Sequence, residues 1–208
     1  MPGNVENIRP YGPSAGREHP DHFKRPDSLV LDIHGHIMTE GVDEEVRKYV
    51  PAMSLDAVKY ASPLTRELNK KQNAERHEEL VGVTKRLEDM DKMCVDVMAI
   101  SPQPPQMHYA APDALGQETA QKVNDNIARA VSEAPDRLLG LGTVPLQNTD
   151  MALKELDRIT NELGFKGIQI GAQIGNDELS AERLEPFWAK CSEMEIPILL
   201  HPTSFASE

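Results

Sequence analysis

The sequence predicts an α/β domain built around a parallel β-sheet. Short apolar runs of strand length alternate along the chain with longer segments whose apolar residues recur every three or four positions. Strands that alternate with helices of these lengths form βα units and a parallel sheet. The runs are apolar almost without interruption, which is typical of strands that helices cover.

The predicted elements begin after a region of different composition. Residues 1–28 hold five prolines and few aliphatic side chains, so we expect an irregular N-terminal arm there and one domain over residues 29–208. Five apolar runs are the predicted strands, at residues 29–33, 95–100, 138–144, 165–170 and 196–200. Four segments are the predicted helices, at residues 77–93, 114–134, 149–163 and 181–195.

Local signals mark the ends of several elements. The polar stretch that follows the first strand, up to residue 76, contains Pro51 and Pro63 and predicts short helices in a long insertion. Gly164 is placed for a left-handed cap at the end of the third helix. Ser180 is placed for the N-cap of the fourth.

Five predicted strands are compatible with two architectures. A doubly wound sheet can stop at five strands, and its site would lie at the point where the strand order reverses. A (β/α)₈ barrel requires eight strands and typically about 250 residues. The 208 residues would then supply only the first five βα units of the barrel.

The composition argues against several classes of partner. The formal net charge is −12, whereas phosphate binding needs clustered Lys and Arg, so we expect no nucleic-acid partner. No apolar run is long enough to cross a bilayer and no signal-peptide pattern opens the chain, so we expect no membrane partner and a cytoplasmic location. Cys94 and Cys191 lack metal-binding spacing and are expected to be reduced core thiols.

Histidines at the ends of two predicted strands indicate a metal site. His34 and His36 are two positions apart, so on a strand their side chains point to the same side, and Gly35 lets the backbone bend between them. His201 follows the fifth strand, and the carboxyl ends of parallel strands meet at one rim. Neutral imidazole is a good ligand for zinc and its neighbours. The alternative is that His34 and His36 are a chance pair in a loop and that His201 is an unrelated loop histidine held by hydrogen bonds.

Two further residues are weaker candidates for the same site. Asp32 is spaced by two and four residues from His34 and His36, so on a regular strand its side chain would point to the same side. It is expected to orient one of these histidines through a hydrogen bond without binding the metal itself. His108 lies in the loop after the second strand, on the same rim, where it would contact substrate or simply pack against prolines.

A resemblance to a known family rests on several motifs in order. They are LDIHGH, RLEDMDKMCVDVMAISPQPP, NDNIARAVSEAPDRLLGLGTVPLQ, ELGFKGIQIG and PILLHP. Together they resemble the amidohydrolase-2 branch of the amidohydrolase superfamily, over about residues 29–204. This branch includes aminocarboxymuconate-semialdehyde decarboxylase, aromatic-acid decarboxylases, and hydrolases and hydratases of ring-cleavage products.

The resemblance implies a (β/α)₈ barrel with a divalent metal at His34, His36 and His201. Zinc is the first expectation and manganese the second. The implied function is a lyase, a decarboxylase of a small aromatic or ring-cleavage-derived carboxylic acid. One alternative is a hydrolase of the same family that cleaves C–C, C–N or ester bonds. Another is a partner subunit that only binds metal.

The same resemblance implies what this sequence lacks. In the family, a histidine after strand 6 serves as acid and base, and an aspartate after strand 8 is a further ligand or proton carrier. The sequence stops at Glu208, before either position, so the catalytic residues are unknown and we expect the chain alone to be inactive. We also expect a homo-oligomer.

Overall fold

The computed structural model describes residues 27–50, 61–175 and 177–202. Its strands are β1 (Leu31–Ile37), β2 (Val97–Pro102), β3 (Leu138–Gly142), β4 (Gly167–Gly171) and β5 (Ile198–His201). Its helices are α1 (Val42–Arg47), α2 (Pro63–Glu75), α3 (His77–Val81), α4 (Thr84–Lys92), α5 (Asp113–Glu133), α6 (Thr149–Asn161) and α7 (Glu185–Glu193). Two 3₁₀ turns are also present, at Pro104–Met107 and Glu182–Leu184.

All five strands are parallel, and they lie side by side in chain order, β1-β2-β3-β4-β5. A doubly wound sheet reverses its order at a switch point, and no reversal occurs in the described part of the chain. Crossovers between parallel strands are right-handed, so steps in one direction put every crossover helix on the same face of the sheet. The order therefore excludes the doubly wound alternative and confirms five βα units of barrel type.

The main core lies between this sheet and its helices. Side chains of α5 and α6 meet those of the strands, and the buried members include Val123, Ile127, Leu138, Ile159 and Ile168. The close approach of α6 and its following loop is possible because β3 carries glycines. A Cβ on Gly140 would lie 2.5 Å from the ring of Phe165, and one on Gly142 would lie 2.9 Å from it.

The two outer strands carry exposed apolar side chains. Leu31 and Ile33 on β1 and Leu200 on β5 are each about half exposed or more. Each of these strands has only one neighbouring strand among the described residues. The inner strand β4 is buried at every position, in contrast to these two outer strands.

Several predicted boundaries differ from those of the structure. Strand β1 extends through the histidine segment to Ile37. The predicted helix 77–93 is two helices, because Gly82 has an extended backbone (φ −91°, ψ 153°) that ends α3. Gly164 has the left-handed φ of 68° that a C-terminal cap requires, which confirms that prediction.

The predicted N-cap at Ser180 is wrong. The chain first makes the 3₁₀ turn, and α7 then begins at Glu185 with a proline in its first turn, where a missing N–H costs nothing. The predicted arm, residues 1–28, lies outside the described residues except for its last two, so its structure stays a prediction.

Both cysteines are free thiols, as expected. Cys191 is buried, and burial raises the pKa of its thiol to about 11, which keeps it protonated and unreactive at neutral pH.

Among the described residues, no helix combines the length and the apolar character that a membrane crossing needs.

Replacing Asn124 tests how the helices are joined to the sheet. Its side chain is fully buried, donates to the Thr143 carbonyl (2.9 Å) and to Glu155 (2.6 Å), and accepts from the Thr143 N–H (2.8 Å). Asn124→Ala should lower the free energy of unfolding by about 1–3 kcal/mol or more, because it leaves buried polar groups unpaired. Asn161→Ala, which removes an exposed bond to Asp157, is the control in urea unfolding. Equal losses in the two variants would contradict this account.

Candidate metal centre

The candidate site is built on the carboxyl end of β1. His34, Gly35 and His36 all lie within this strand, which pairs with β2 along its inner side. Position 35 has no room for a side chain, since a Cβ there would lie 2.6 Å from the Met98 sulfur. Glycine therefore lets β1 press against β2 between the two histidines.

The third histidine comes from the other edge of the sheet. His201 is the last residue of β5, and three strands separate β5 from β1. In a flat sheet with strands about 4.8 Å apart, this separation would be about 19 Å. The ring centroid of His201 instead lies 5.1 Å from that of His34 and 5.1 Å from that of His36. The sheet is therefore strongly curled, and its carboxyl rim folds around the histidines.

The three rings form one cluster. The centroids of His34 and His36 are 4.8 Å apart, and one ring nitrogen from each of the three histidines lies within 4.8 Å of the others. Ligand nitrogens on a zinc ion stand about 3.3 Å apart, given Zn–N bonds of about 2.0–2.1 Å and tetrahedral angles. Small side-chain rotations suffice to reach that spacing, so the donor set fits a divalent metal.

Asp32 does not share the face of His36, which corrects the parity argument from the sequence. In the pairing of β1 with β2, Asp32 is opposite Met98 and Gly35 is opposite Ile100, so β1 has one extra residue between them. This β-bulge puts Asp32 on the same face as Gly35. Its carboxylate accepts a hydrogen bond from the backbone N–H of His34 (3.0 Å), not from an imidazole. Asp32 thus holds the backbone of His34, and not an imidazole ring, in place.

The ring of His36 is held through its Nδ1 atom. Nδ1 lies 3.1 Å from the carbonyl oxygen of Pro102 and 3.1 Å from the hydroxyl of Ser101. The carbonyl of His36 accepts from the guanidinium of Arg86 at 2.7 Å. The ring of His201 is held in a comparable way, with Nδ1 2.9 Å from the carbonyl oxygen of Pro202. The hydrogen bonds of both rings among residues 27–50, 61–175 and 177–202 use Nδ1, which leaves Nε2 as the nitrogen that could bind a metal.

The site favours neutral imidazoles. Burial lowers the pKa of His36 to about 4, and charge repulsion from His34 and His201 adds to the effect. Burial also lowers the pKa of His201, with repulsion from His34 as a further cause. Metal ions bind the neutral form of imidazole, so the histidines are ready to act as ligands at neutral pH.

An open cavity of about 740 Å³ borders the cluster. The three histidines line it, together with Arg86, Gln103 and other residues of the neighbouring elements. Burial lowers the pKa of the Arg86 guanidinium, and the nearby charge of Asp32 opposes that shift. The volume is within the range of small-molecule sites, about 300–1,000 Å³.

His108 is placed elsewhere. Its side chain is almost fully buried, with Nε2 3.2 Å from a carboxylate oxygen of Asp43 at the start of α1. It is not among the residues that line the cavity at the histidine cluster. The structure therefore does not bring His108 to the other candidate residues, and its contact with substrate stays a prediction.

Sequence reasoning missed two polar residues beneath the cluster. Ser101 is in β2 and Gln169 is in β4, and both are fully buried. The available signal was a lone amide in the middle of the apolar strand GIQIG, because a polar side chain rarely occupies a buried strand without a partner.

The family of the chain follows from comparison with known proteins. Residues 31–207 match the amidohydrolase family model, which covers most of the chain and all of the described strands. The chain therefore belongs to the amidohydrolase family, as its motifs predict.

Individual relatives are decarboxylases. The chain is 35% identical over 117 residues to 2-amino-3-carboxymuconate-6-semialdehyde decarboxylase from Dictyostelium discoideum, a match that covers 56% of this chain and 33% of the relative. It is 31% identical over 125 residues to γ-resorcylate decarboxylase from Polaromonas sp., with 57% and 38% covered.

A solved structure is similar over a longer stretch. It is 5-carboxyvanillate decarboxylase from Novosphingobium aromaticivorans, crystallised with manganese and 3-methoxy-4-hydroxy-5-nitrobenzoic acid. The TM-score is 0.71 at 27% identity, and the match covers 86% of this chain and 52% of that one. The chain thus spans about half the length of this neighbour and less of the curated relatives.

The low pKa of His36 predicts a pH dependence of stability for the metal-free protein. An unfolded histidine takes up its proton near pH 6.5, but folded His36 does so only near pH 4. The unfolded state therefore binds more protons between these values, and the free energy of unfolding should fall as the pH drops from 6.5 to 4. His36→Asn should flatten this slope in urea melts, whereas His77→Gln, at a half-exposed histidine beside Glu40, should keep it. An unchanged slope in His36→Asn would contradict the assignment.

Proposed function

We propose that the protein is a metal-dependent decarboxylase of small aromatic or ring-cleavage-derived carboxylic acids. The observation that carries the proposal is the convergence of His34, His36 and His201 from two opposite edges of a curled sheet. The lowered pKa values of His36 and His201 suit metal binding, and the family and its relatives suit the reaction.

The three histidines would hold the metal through nitrogens that are not used elsewhere. His36 and His201 would bind through Nε2, because Nδ1 of each ring is beside a proline carbonyl. A divalent metal, when bound, supplies a Lewis acid that polarises a carboxylate or carbonyl oxygen. The residues of this chain then hold the rings of His36 and His201 in place and lower the pKa of both.

The substrate class follows from the cavity and from the relatives. A cavity of about 740 Å³ admits a single substituted ring. The relatives are decarboxylases of 2-amino-3-carboxymuconate-6-semialdehyde and of γ-resorcylate, and the solved neighbour was crystallised with manganese and a nitrobenzoic acid.

Three finer points belong to the same proposal. The metal is either zinc, which the sequence favours, or manganese, which the solved neighbour binds. We propose a cytoplasmic location, which free thiols support. A homo-oligomer stays a prediction.

Metal content tests the cluster directly. The protein, loaded with Zn²⁺ or Mn²⁺ and dialysed, should retain about one ion per chain by elemental analysis, and His34→Ala/His36→Ala together should retain none. His77→Ala is the matched control, since it removes a histidine beside Glu40 and leaves the cluster whole. Equal metal content in the double variant and the control would refute this ligand set.

Turnover tests the reaction class. This chain, supplied with the remaining strands of the barrel in one polypeptide or in trans and loaded with Mn²⁺ or Zn²⁺, should release CO₂ from 2,6-dihydroxybenzoate, 5-carboxyvanillate or a carboxymuconate semialdehyde, whereas the 208 residues alone should not. His36→Ala should lower the rate on the order of 100-fold or more, because it removes a ligand of the electrophilic centre. Turnover of esters or C–C bonds without CO₂ release would replace the decarboxylase proposal with the hydrolase alternative.

A further inference from the structure

We propose that Gln169, acting with Ser101, is a positioning residue that fixes His36 in the tautomer with its proton on Nδ1. This inference rests on the proposed metal-binding role of the cluster. It assigns a task to two buried polar groups that otherwise have no reason to occupy an apolar interior. It concerns which ring nitrogen of His36 faces the other histidines.

The four groups form a closed ring of contacts. His36 Nδ1 lies 3.1 Å from the Pro102 carbonyl oxygen and 3.1 Å from the Ser101 hydroxyl. The Gln169 amide nitrogen donates to the same Pro102 carbonyl at 2.9 Å. The Ser101 hydroxyl lies 2.7 Å from the Gln169 amide oxygen. The contacts of His36 thus link β1 to its neighbour β2, and those of Gln169 link β4 to β2 across the interior of the curled sheet.

The carbonyl of Pro102 fixes the orientation of the Gln169 amide. A carbonyl oxygen only accepts hydrogen bonds, so the amide nitrogen must face it. A flipped amide would bring two acceptor oxygens together. The amide oxygen of Gln169 therefore faces Ser101, and it needs a donor because the residue is fully buried. Ser101 supplies that donor at 2.7 Å, its shortest contact.

This orientation determines the proton of His36. The Ser101 hydroxyl has one hydrogen, and it goes to Gln169, or in the other rotamer to the carbonyl of Gly35 at 3.0 Å. In either case Ser101 offers only a lone pair to His36 Nδ1. The carbonyl of Pro102 also offers only lone pairs. Both neighbours of Nδ1 are therefore acceptors, and the proton must lie on Nδ1, which leaves the lone pair on Nε2.

Gln169 strengthens this preference, because it is the closest acceptor for the Ser101 hydrogen, and without it only the Pro102 and Gly35 carbonyls favour the proton on Nδ1. A serine hydroxyl can donate or accept, so without Gln169 it could turn its hydrogen toward Nδ1 and favour the opposite tautomer. That tautomer would put the proton on Nε2, where a metal needs a lone pair. Partners behind a ligand histidine set its tautomer and ring orientation, and their loss typically costs about 10–100-fold in metal affinity.

The tautomer can be observed in the metal-free protein. Long-range ¹H–¹⁵N correlation spectra of ¹⁵N-histidine-labelled protein above pH 7 distinguish the protonated ring nitrogen from the bare one. Wild-type His36, assigned with His36→Asn, should have its proton on Nδ1. A wild-type ring with the proton on Nε2 would overturn the proposal without any variant.

Two variants separate positioning from simple stability. Gln169→Leu should give His36 a mixed or reversed tautomer and weaken Mn²⁺ binding about 10–100-fold in a competition with a chelator. Gln106→Leu is the matched control. Its buried amide also makes two hydrogen bonds, to the backbone N–H and carbonyl of Thr39 at 2.8 Å each, away from the cluster. The control should lose thermal stability while His36 and the Mn²⁺ affinity stay as in wild type.

The outcomes also distinguish this inference from the proposed function. If wild-type protein binds neither Mn²⁺ nor Zn²⁺, the metal proposal fails, and the tautomer spectra still decide the role of Gln169. An unchanged tautomer in Gln169→Leu overturns the inference while leaving metal binding intact. If Gln169→Leu does not fold, Gln169→Met replaces it, because it keeps the length of the side chain and removes the amide. It should change the His36 tautomer in the same direction and weaken Mn²⁺ binding more than Gln106→Leu does.

Discussion

The curvature of the sheet is the constraint on which the candidate site depends. Because each strand is followed in the sheet by the next strand along the chain, right-handed crossovers cover one face only. None of the crossover helices between the described strands lies on the other face, and that face buries its side chains by curling on itself. That curl brings the end of β5 to the end of β1, so His201 meets His34 and His36. The fold thus creates a cluster that no single segment of the sequence contains.

The sequence alone was enough to predict the five strands and to place three histidines at one rim of the sheet. Apolar runs located all five strands. Because the carboxyl ends of parallel strands meet at one rim, the sequence also predicted that His34, His36 and His201 lie together. Residue patterns alone did not decide between a doubly wound sheet and a (β/α)₈ barrel, because strand order depends on pairing between distant segments. Periodicity also joined α3 to α4, since Leu80 in α3 and Met90 in α4 are both buried and the apolar spacing continues across Gly82.

What could not be predicted lies in pairing register and buried polar contacts. A strict count of two residues per repeat puts Asp32 on the face of the histidines, but a bulge adds one residue and moves it to the other face. Gln169 and Ser101 are 68 positions apart in sequence and meet only through the curled sheet. The sequence does not reveal their role, because an isolated glutamine in an apolar strand does not show which residue it contacts.

The bulge in β1 has a further consequence for how the histidines are held. Two residues, Ile33 and His34, stand opposite the single residue Ala99, so His34 stays on the interior face with His36 while Asp32 is turned outward. From there the Asp32 carboxylate can accept the N–H of His34 and still lie near the charge of Arg86. Arg86 in turn donates to the carbonyl of His36. An aspartate on the interior face would instead add a negative charge beside the ligands. The bulge therefore separates the charged support of β1 from its neutral metal-binding face.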